Sequence, residues 1–464
     1  MALKHTYSRV IFGCVGENNP KFLSQALRLL QSIRWFGGKL AEADVMICIV
    51  DGVDSAYVEE FKLLRALTKV VPRFSQSHPA TNKLRFLERS EMKEYDTAVL
   101  LDCDTLVVQD PSPFLRGSSF RAKMADLPTV PHDVFLHLFR RFELSPPLQE
   151  YETTFNNTPT IWYCNAGVLV LPVNLIEALF PVWREYTLQL IAEPDLLGPY
   201  SYFCEQASLT LAFCSKPLPF SELPVSMNFP LHLTNLETPP SVAESDPVIL
   251  HYHDRVDASG YLLPSPYHNA QKRVEMFNER LRKERQKRFD NRLFWDYRYY
   301  AHPDLGSGVG SRGFTLSYKQ ELLRMAISRA QPNSILDVGC GDLLVTANLP
   351  DHLYTGVDVS PVVIRRDQEN YPNRSFICGA FLDVDVNPSD MVLCLDVLIH
   401  LSDAEVYRVF VKRLVALTRK AGLVSGYEED PHEGRGMVFF HEPLSTTLRQ
   451  IGIQSMRKVG LYNK

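Results

Sequence analysis

The chain has 464 residues, of which 45% are apolar and 22% charged, with a formal net charge of −5. That length is too great for one ordinary domain, and two or three are expected. The negative balance argues against a nucleic-acid partner, which a basic face would serve. Nine cysteines are scattered without CxxC pairs, some inside apolar runs (Cys48, Cys394), so buried reduced thiols are expected rather than a disulfide framework or a thiolate zinc site. The N-terminal residues lack the apolar core of a signal peptide, and no apolar stretch is long enough to span a bilayer. A cytoplasmic enzyme is the expectation, with its oligomeric state open.

From Val10 onward short apolar runs alternate with segments of helical period. Strands are expected over 9–14, 45–50 and 98–101, and helices over 23–35 and 57–67. Prolines between 128 and 159 suggest an irregular excursion, after which order returns over 166–171. Pro264 and Pro266 then mark a break, followed by a charged helical stretch over 270–292 in which glutamates dilute the Arg and Lys, as on a solvated connector. Strand runs restart at 334–338, 353–357, 375–378, 391–395 and 422–426, with a helix over 404–418 and a possible closing strand over 456–461. Two doubly wound α/β units follow, each with its ligand site at strand C-terminal ends. The expected domains are 1–262 and 295–464, with 263–294 as linker.

The strand ending at Leu101 runs into Asp102-Cys103-Asp104. In extended geometry residues i and i+2 face one side, so both carboxylates can meet one hard cation. Two carboxylates are an incomplete ligand set, and His251, ending another apolar strand, is the best third ligand. Departure of a diphosphate from a sugar nucleotide would be aided by such a cation. The segment from Tyr95 to Val108, with Asn165-Ala166-Gly167, Glu205-Gln206 and Leu250-His251-Tyr252, resembles the motifs of glycogenin-like, family 8 glycosyltransferases in their order. This likeness spans roughly residues 8 to 260. It implies a GT-A fold, retaining transfer from a UDP-sugar, and Mn²⁺ or Mg²⁺ on Asp102, Asp104 and His251. It further implies Lys83 at the donor phosphates, Asp126 and Asn165 at the donor sugar, and Glu205 and Gln206 near the reacting carbon. Phe22 is a stacking residue for the base or a core aromatic. The family's glycine and lysine-proline-tryptophan run after the histidine is replaced here by Asp254-Arg255-Val256-Asp257, with Arg255 a possible substitute for the lysine and His253 a local polar contact.

Further on, Asp337-Val338-Gly339-Cys340-Gly341-Asp342 follows a strand, and Asp358 ends the next. A glycine turn lets backbone approach a ligand, and an acid about 20 residues on can accept from ribose hydroxyls. Leu344 stands where a dinucleotide fingerprint wants its third glycine. These segments, with Asp396-Val397-Leu398-Ile399-His400 and the glycine-rich 306–313, resemble class I S-adenosylmethionine-dependent methyltransferases across roughly 295–464. The likeness places Asp337, Gly339, Gly341 and Asp358 around the cofactor, Ala380 and Phe381 at adenine, and Asp396 beside the methyl donor. His400 is placed to act as general base. The acidic segment Glu428, Glu429, Asp430, His432 and His441 reads as an exposed loop.

The expectation is a bifunctional enzyme that glycosylates and methylates a glycan or glycoconjugate acceptor. Two alternatives stand beside it: a degenerate, glycan-binding N-terminal half, or an NAD-dependent sugar-modifying C-terminal half.

Overall fold

The computed structural model describes residues 9–234, 237–428 and 437–461. It divides into two compact units, Met1–Asp257 with Leu262–Asn278, and Ala258–Tyr261 with Glu279–Lys464; the division falls within the helix His268–Lys287.

The first unit is built on strands β1 (Val10–Glu17), β2 (Asp44–Val50), β3 (Leu67–Val71), β4 (Thr97–Leu101), β5 (Thr105–Val107), β6 (Phe120–Met124), β7 (Tyr151–Glu152), β8 (Pro159–Thr160), β9 (Cys164–Pro172), β10 (Phe220–Glu222), β11 (Phe229–Pro230) and β12 (Ile249–His251). The main sheet has the order β10-β6-β9-β4-β1-β2-β3. Strands β3, β2, β1 and β4 are parallel, and β9 runs antiparallel between β4 and β6. The unbroken apolar runs are explained by burial on both sheet faces; every residue of β4 is buried. A small sheet, β11-β12-β5, sets His251 opposite Thr105 and so delivers the histidine to the turn after β4.

Several expectations are corrected. The helix expected through 67 stops at Leu63, because Arg65 turns left-handed (φ 56°) and the chain resumes as edge strand β3. The excursion between 128 and 159 contains the helix His132–Arg141. The charged stretch is two helices, His268–Lys287 and Asn291–Ala301, the second capped where the Asp290 carboxylate accepts from Leu293 N (2.9 Å).

In the second unit β13 (Ile335–Val338), β14 (Tyr354–Asp358), β15 (Ser375–Cys378), β16 (Ser389–Cys394) and β17 (Thr418–Val424) form one parallel sheet of order β15-β14-β13-β16-β17. The order reverses at β13, which places a crevice beyond its C-terminal end. Residues 456–461, expected as a closing strand, adopt no strand. No helix among the described residues is long and apolar enough to cross a membrane.

An aromatic cluster anchors the first sheet: Phe120 lies 5.8 Å from Trp162 and 6.2 Å from Phe213, which stack on each other at 3.8 Å. Phe120→Ala should cost about 3–5 kcal/mol. The readout is tryptophan fluorescence on denaturation, since Trp35, Trp162 and Trp183 report the first unit and Trp295 alone the second. An unshifted transition would contradict the cluster's structural role.

Candidate functional sites

In the first unit the turn after β4 presents Asp102 and Asp104, but it uses them differently. Lys83 is buried, and its Nζ donates to Asp102 Oδ1 (2.8 Å), Glu205 Oε1 (2.9 Å) and the Ala166 carbonyl (3.2 Å). These partners account for all three ammonium protons. Burial alone would discharge the lysine, but Asp102 and Glu205 hold its pKa above the usual range. The residue expected at donor phosphates therefore ties the turn after β4 to the start of helix Cys204–Ser215.

Asp104 faces the other way. Its Oδ1 lies 3.3 Å from His251 Nε2 and its Oδ2 3.8 Å from His253 Nδ1. Burial opposes its charge, yet His251 and then His253 hold its carboxyl well below the ordinary range. Asp104, His251 and His253 each offer a ligand atom within 4.8 Å of the others; Asp102, expected as a ligand, is outside this group. A carboxylate oxygen and two imidazole nitrogens form a donor set that fits a divalent cation. His253 enters through a left-handed backbone (φ 49°), which stacks its ring on His251 at 4.2 Å.

An amide relay aims His251. Asn165 Oδ1 accepts from Gly167 N (2.9 Å) and from Asn228 Nδ2 (3.1 Å), while Asn165 Nδ2 donates to Asp126 Oδ2 (3.0 Å). The backbone donor at Gly167 sets the orientation of both amides, so Asn228 Oδ1 accepts from His251 Nδ1 (3.1 Å) and Nε2 is turned toward Asp104. Fully buried Lys123 pairs with Asp126 at the far end. Asp126 and Asn165 thus share one network, and Gln206 is half-buried beside Glu205. Phe22 lies half-buried in the first turn of its helix. Arg255, considered as a replacement phosphate clamp, donates to the Pro264 carbonyl (2.5 Å). Asn228 carried no local sequence signal, since its partners Asn165 and His251 lie 63 and 23 residues away.

In the second unit a cavity beyond β13 is lined by Asp337, Gly339, Gly341, Asp358, Ala380, Phe381, Asp396 and His400 together with Trp295, Tyr299 and Lys319. Gly339 and Gly341 have φ of 72° and 57°, conformations that favour glycine. A Cβ on Gly341 would fall 2.3 Å from Ser307 Oγ. Gly341 N donates to Asp358 Oδ2 (3.0 Å) and Ser360 N to Asp358 Oδ1 (2.9 Å). Asp337 Oδ2 accepts from the Tyr354 hydroxyl (2.6 Å). Burial pushes Asp337 and Asp358 each up to about 6. The glycine-rich segment closes over the turn: Ser307 N donates to Asp342 Oδ2 (3.0 Å), and Asp342 N to Ser307 Oγ (3.0 Å). Asp396 pairs with buried Lys319, a partner not anticipated from sequence. His400 Nδ1 donates to the Met437 carbonyl (2.8 Å), which leaves the ring lone pair on Nε2. His441 gives Nε2 to the Leu401 carbonyl (2.7 Å), whereas Glu429, Asp430 and His432 lie outside the described residues.

The fold and two strand-end sites define a two-domain α/β transferase. A family profile described as a Rhodobacterales glycosyltransferase domain matches residues 14–216, and one described as a methyltransferase domain matches 335–422. Similar solved structures include the galactosyltransferase LgtC, in complex with donor and acceptor sugar analogues (12% identity, TM-score 0.39, 58% of this chain and 95% of that one). Others are mouse xyloside xylosyltransferase 1 (14%, 0.34, 52% and 96%) and the glycosyltransferase GlyE of Streptococcus pneumoniae TIGR4 (12%, 0.37, 96% and 98%). No curated protein matches the sequence. The chain joins a glycosyltransferase domain to a methyltransferase domain built on a parallel, Rossmann-like sheet and is an enzyme with both activities; the methyltransferase profile speaks against the NAD-dependent alternative.

Lys83→Met should cost about 3 kcal/mol or more of stability, because it leaves the buried Glu205 carboxylate without its cation. Urea denaturation followed by tryptophan fluorescence checks this; an unchanged midpoint would contradict the assigned role.

Proposed function

We propose that the first domain transfers a sugar, with retention, from a UDP-sugar to a glycan or glycoconjugate acceptor with the help of a divalent cation. The observation that carries this reading is the relay from Asp126 through Asn165 and Asn228 to His251, which joins the expected sugar-binding residues to the Asp104 cluster. A cation at that cluster would offset charge growing on the leaving diphosphate. Asp126 and Asn165 would orient the donor sugar, and Glu205 and Gln206 would line the face on which the acceptor hydroxyl arrives. Lys83 would act by fixing Glu205 and Asp102 rather than by touching phosphate.

In the second domain S-adenosylmethionine would supply the methyl group. Asp358 would accept from the ribose hydroxyls, the Gly339–Gly341 turn would admit the cofactor to close backbone approach, and Phe381 would border adenine. His400 would take the acceptor hydroxyl's proton at Nε2, in the tautomer that Met437 selects. Successive action on one glycan, first extension and then methylation, is the economical coupling of two transferases on one chain. Nine free thiols fit a reducing, cytoplasmic setting.

Incubation with a nucleotide-sugar panel and divalent cations should give transfer or donor hydrolysis that falls at least about 100-fold in Asp104→Ala, in keeping with loss of a cation that stabilises the leaving group. Donor binding with no turnover under any cation would contradict the proposed role of Asp104. For the second domain, bound ribose favours the charged form of Asp358 and so lowers its pKa. Affinity should therefore be full above pH 7 and fall as pH drops through about 6, by up to about tenfold per unit. Titration calorimetry between pH 5 and 8 measures this; a flat profile, or one that strengthens toward acid, contradicts the assignment.

A further inference from the structure

A departing nucleoside diphosphate gathers negative charge, and a side-chain cation placed beside it stabilises that charge together with a metal ion. Several basic residues around the turn after β4 are already committed. Lys83 spends its three protons inward, Arg73 pairs with Glu17 and Asp51, and Arg255 turns to the Pro264 carbonyl. Lys21 is placed differently. It stands in the first turn of the helix Pro20–Phe36, which Asn19 caps. That first turn lies against the Asp102-Cys103-Asp104 turn, for a Cβ on Gly16 would meet Cys103 Sγ at 3.2 Å and Phe22 Cβ at 3.5 Å. From there Lys21 Nζ reaches Asp254 Oδ1 at 2.7 Å. Asp254 directly follows His253, whose Nδ1 lies 3.8 Å from Asp104 Oδ2. The ion pair thus brings the ammonium next to the candidate cation site.

We propose that Lys21 is a diphosphate clamp of the glycosyltransferase domain, held by Asp254 until a nucleoside diphosphate arrives and then passed to it. The proposal rests on the UDP-sugar reading of this domain and deepens it by naming a donor-binding residue. Exposure decides which lysine can make the exchange. The side chains of Lys21 and Asp254 are 38% and 80% exposed, and an ion pair so open to water is weak. A diphosphate offers several oxygens and more charge than one carboxylate, so it outcompetes Asp254 for the ammonium. Lys83 has no such freedom, because its departure would strand the buried Glu205 carboxylate. The flexible four-carbon stem of Lys21 lets the ammonium swing without moving the helix. Asp254 has the opposite effect on the donor: its carboxylate competes for Lys21 and repels the incoming phosphates.

The test is titration calorimetry of UDP into the full-length chain with Mg²⁺ or Mn²⁺ present. Lys21→Ala should weaken UDP at least about tenfold, as loss of a charge-assisted hydrogen bond requires. Asp254→Asn should bind UDP at least as tightly as the wild type, because it removes the competing carboxylate. Both side chains are solvated, so neither substitution threatens the fold. The opposite signs separate a clamp from a structural contact, since a merely structural ion pair would weaken binding alike in both variants. A loss in Asp254→Asn, or an unchanged affinity in Lys21→Ala, overturns the proposal and leaves the UDP-sugar reading standing. Failure of the wild type to bind UDP with either cation would overturn the clamp and the UDP-sugar reading together.

Discussion

A buried ammonium between two carboxylates organises the glycosyltransferase site. Lys83 is buried, so its charge depends on Asp102, Glu205 and the Ala166 carbonyl staying where they are. Desolvating a charge is tolerable only when its partners are close and complete. This single group therefore locks together the turn after β4, strand β9 and the first turn of the helix that begins at Cys204. It also divides two aspartates that the sequence presents as equivalent. Asp102 serves the lock, and Asp104 is released toward the histidines.

Around that lock the polar groups are arranged so that each fixes the next. Lys123 charges Asp126, Asp126 orients Asn165, Asn165 orients Asn228, and Asn228 selects the tautomer of His251. A buried network of this kind resists rotation, because turning either amide leaves its partners unpaired. The methyltransferase domain reaches a comparable end by shorter means. Asp358 accepts two backbone N–H groups, including that of Gly341, so a single side chain shapes the cofactor turn. Both sites occupy strand C-terminal ends, where the sheet fixes the backbone and the following turn is free to specialise.

Much of this was legible in the sequence, for physical reasons. β4, β9 and β16 are largely buried on both faces, and the apolar runs Ala98–Leu101, Val168–Leu171 and Met391–Cys394 announce them. The glycine turn was legible because the positive φ of Gly339 and Gly341 restricts the residue types allowed. The edge strand β3 was not, since its half-exposed residues carry a weak pattern and a left-handed Arg65 ends the preceding helix. Asn228 and Lys319 escaped notice because nothing near them in sequence reveals a partner 63 or 77 residues away. The stacking of His253 on His251 was not legible, because it depends on one backbone angle that residue identity does not dictate.

The account turns on which aspartate meets the cation. Anomalous diffraction at the cobalt edge, from crystals of the full-length chain soaked in Co²⁺, decides it directly. The account predicts a peak beside Asp104 and His251, with Lys83 still bonded to Asp102. A peak bridging Asp102 and Asp104, with Lys83 displaced, would contradict it.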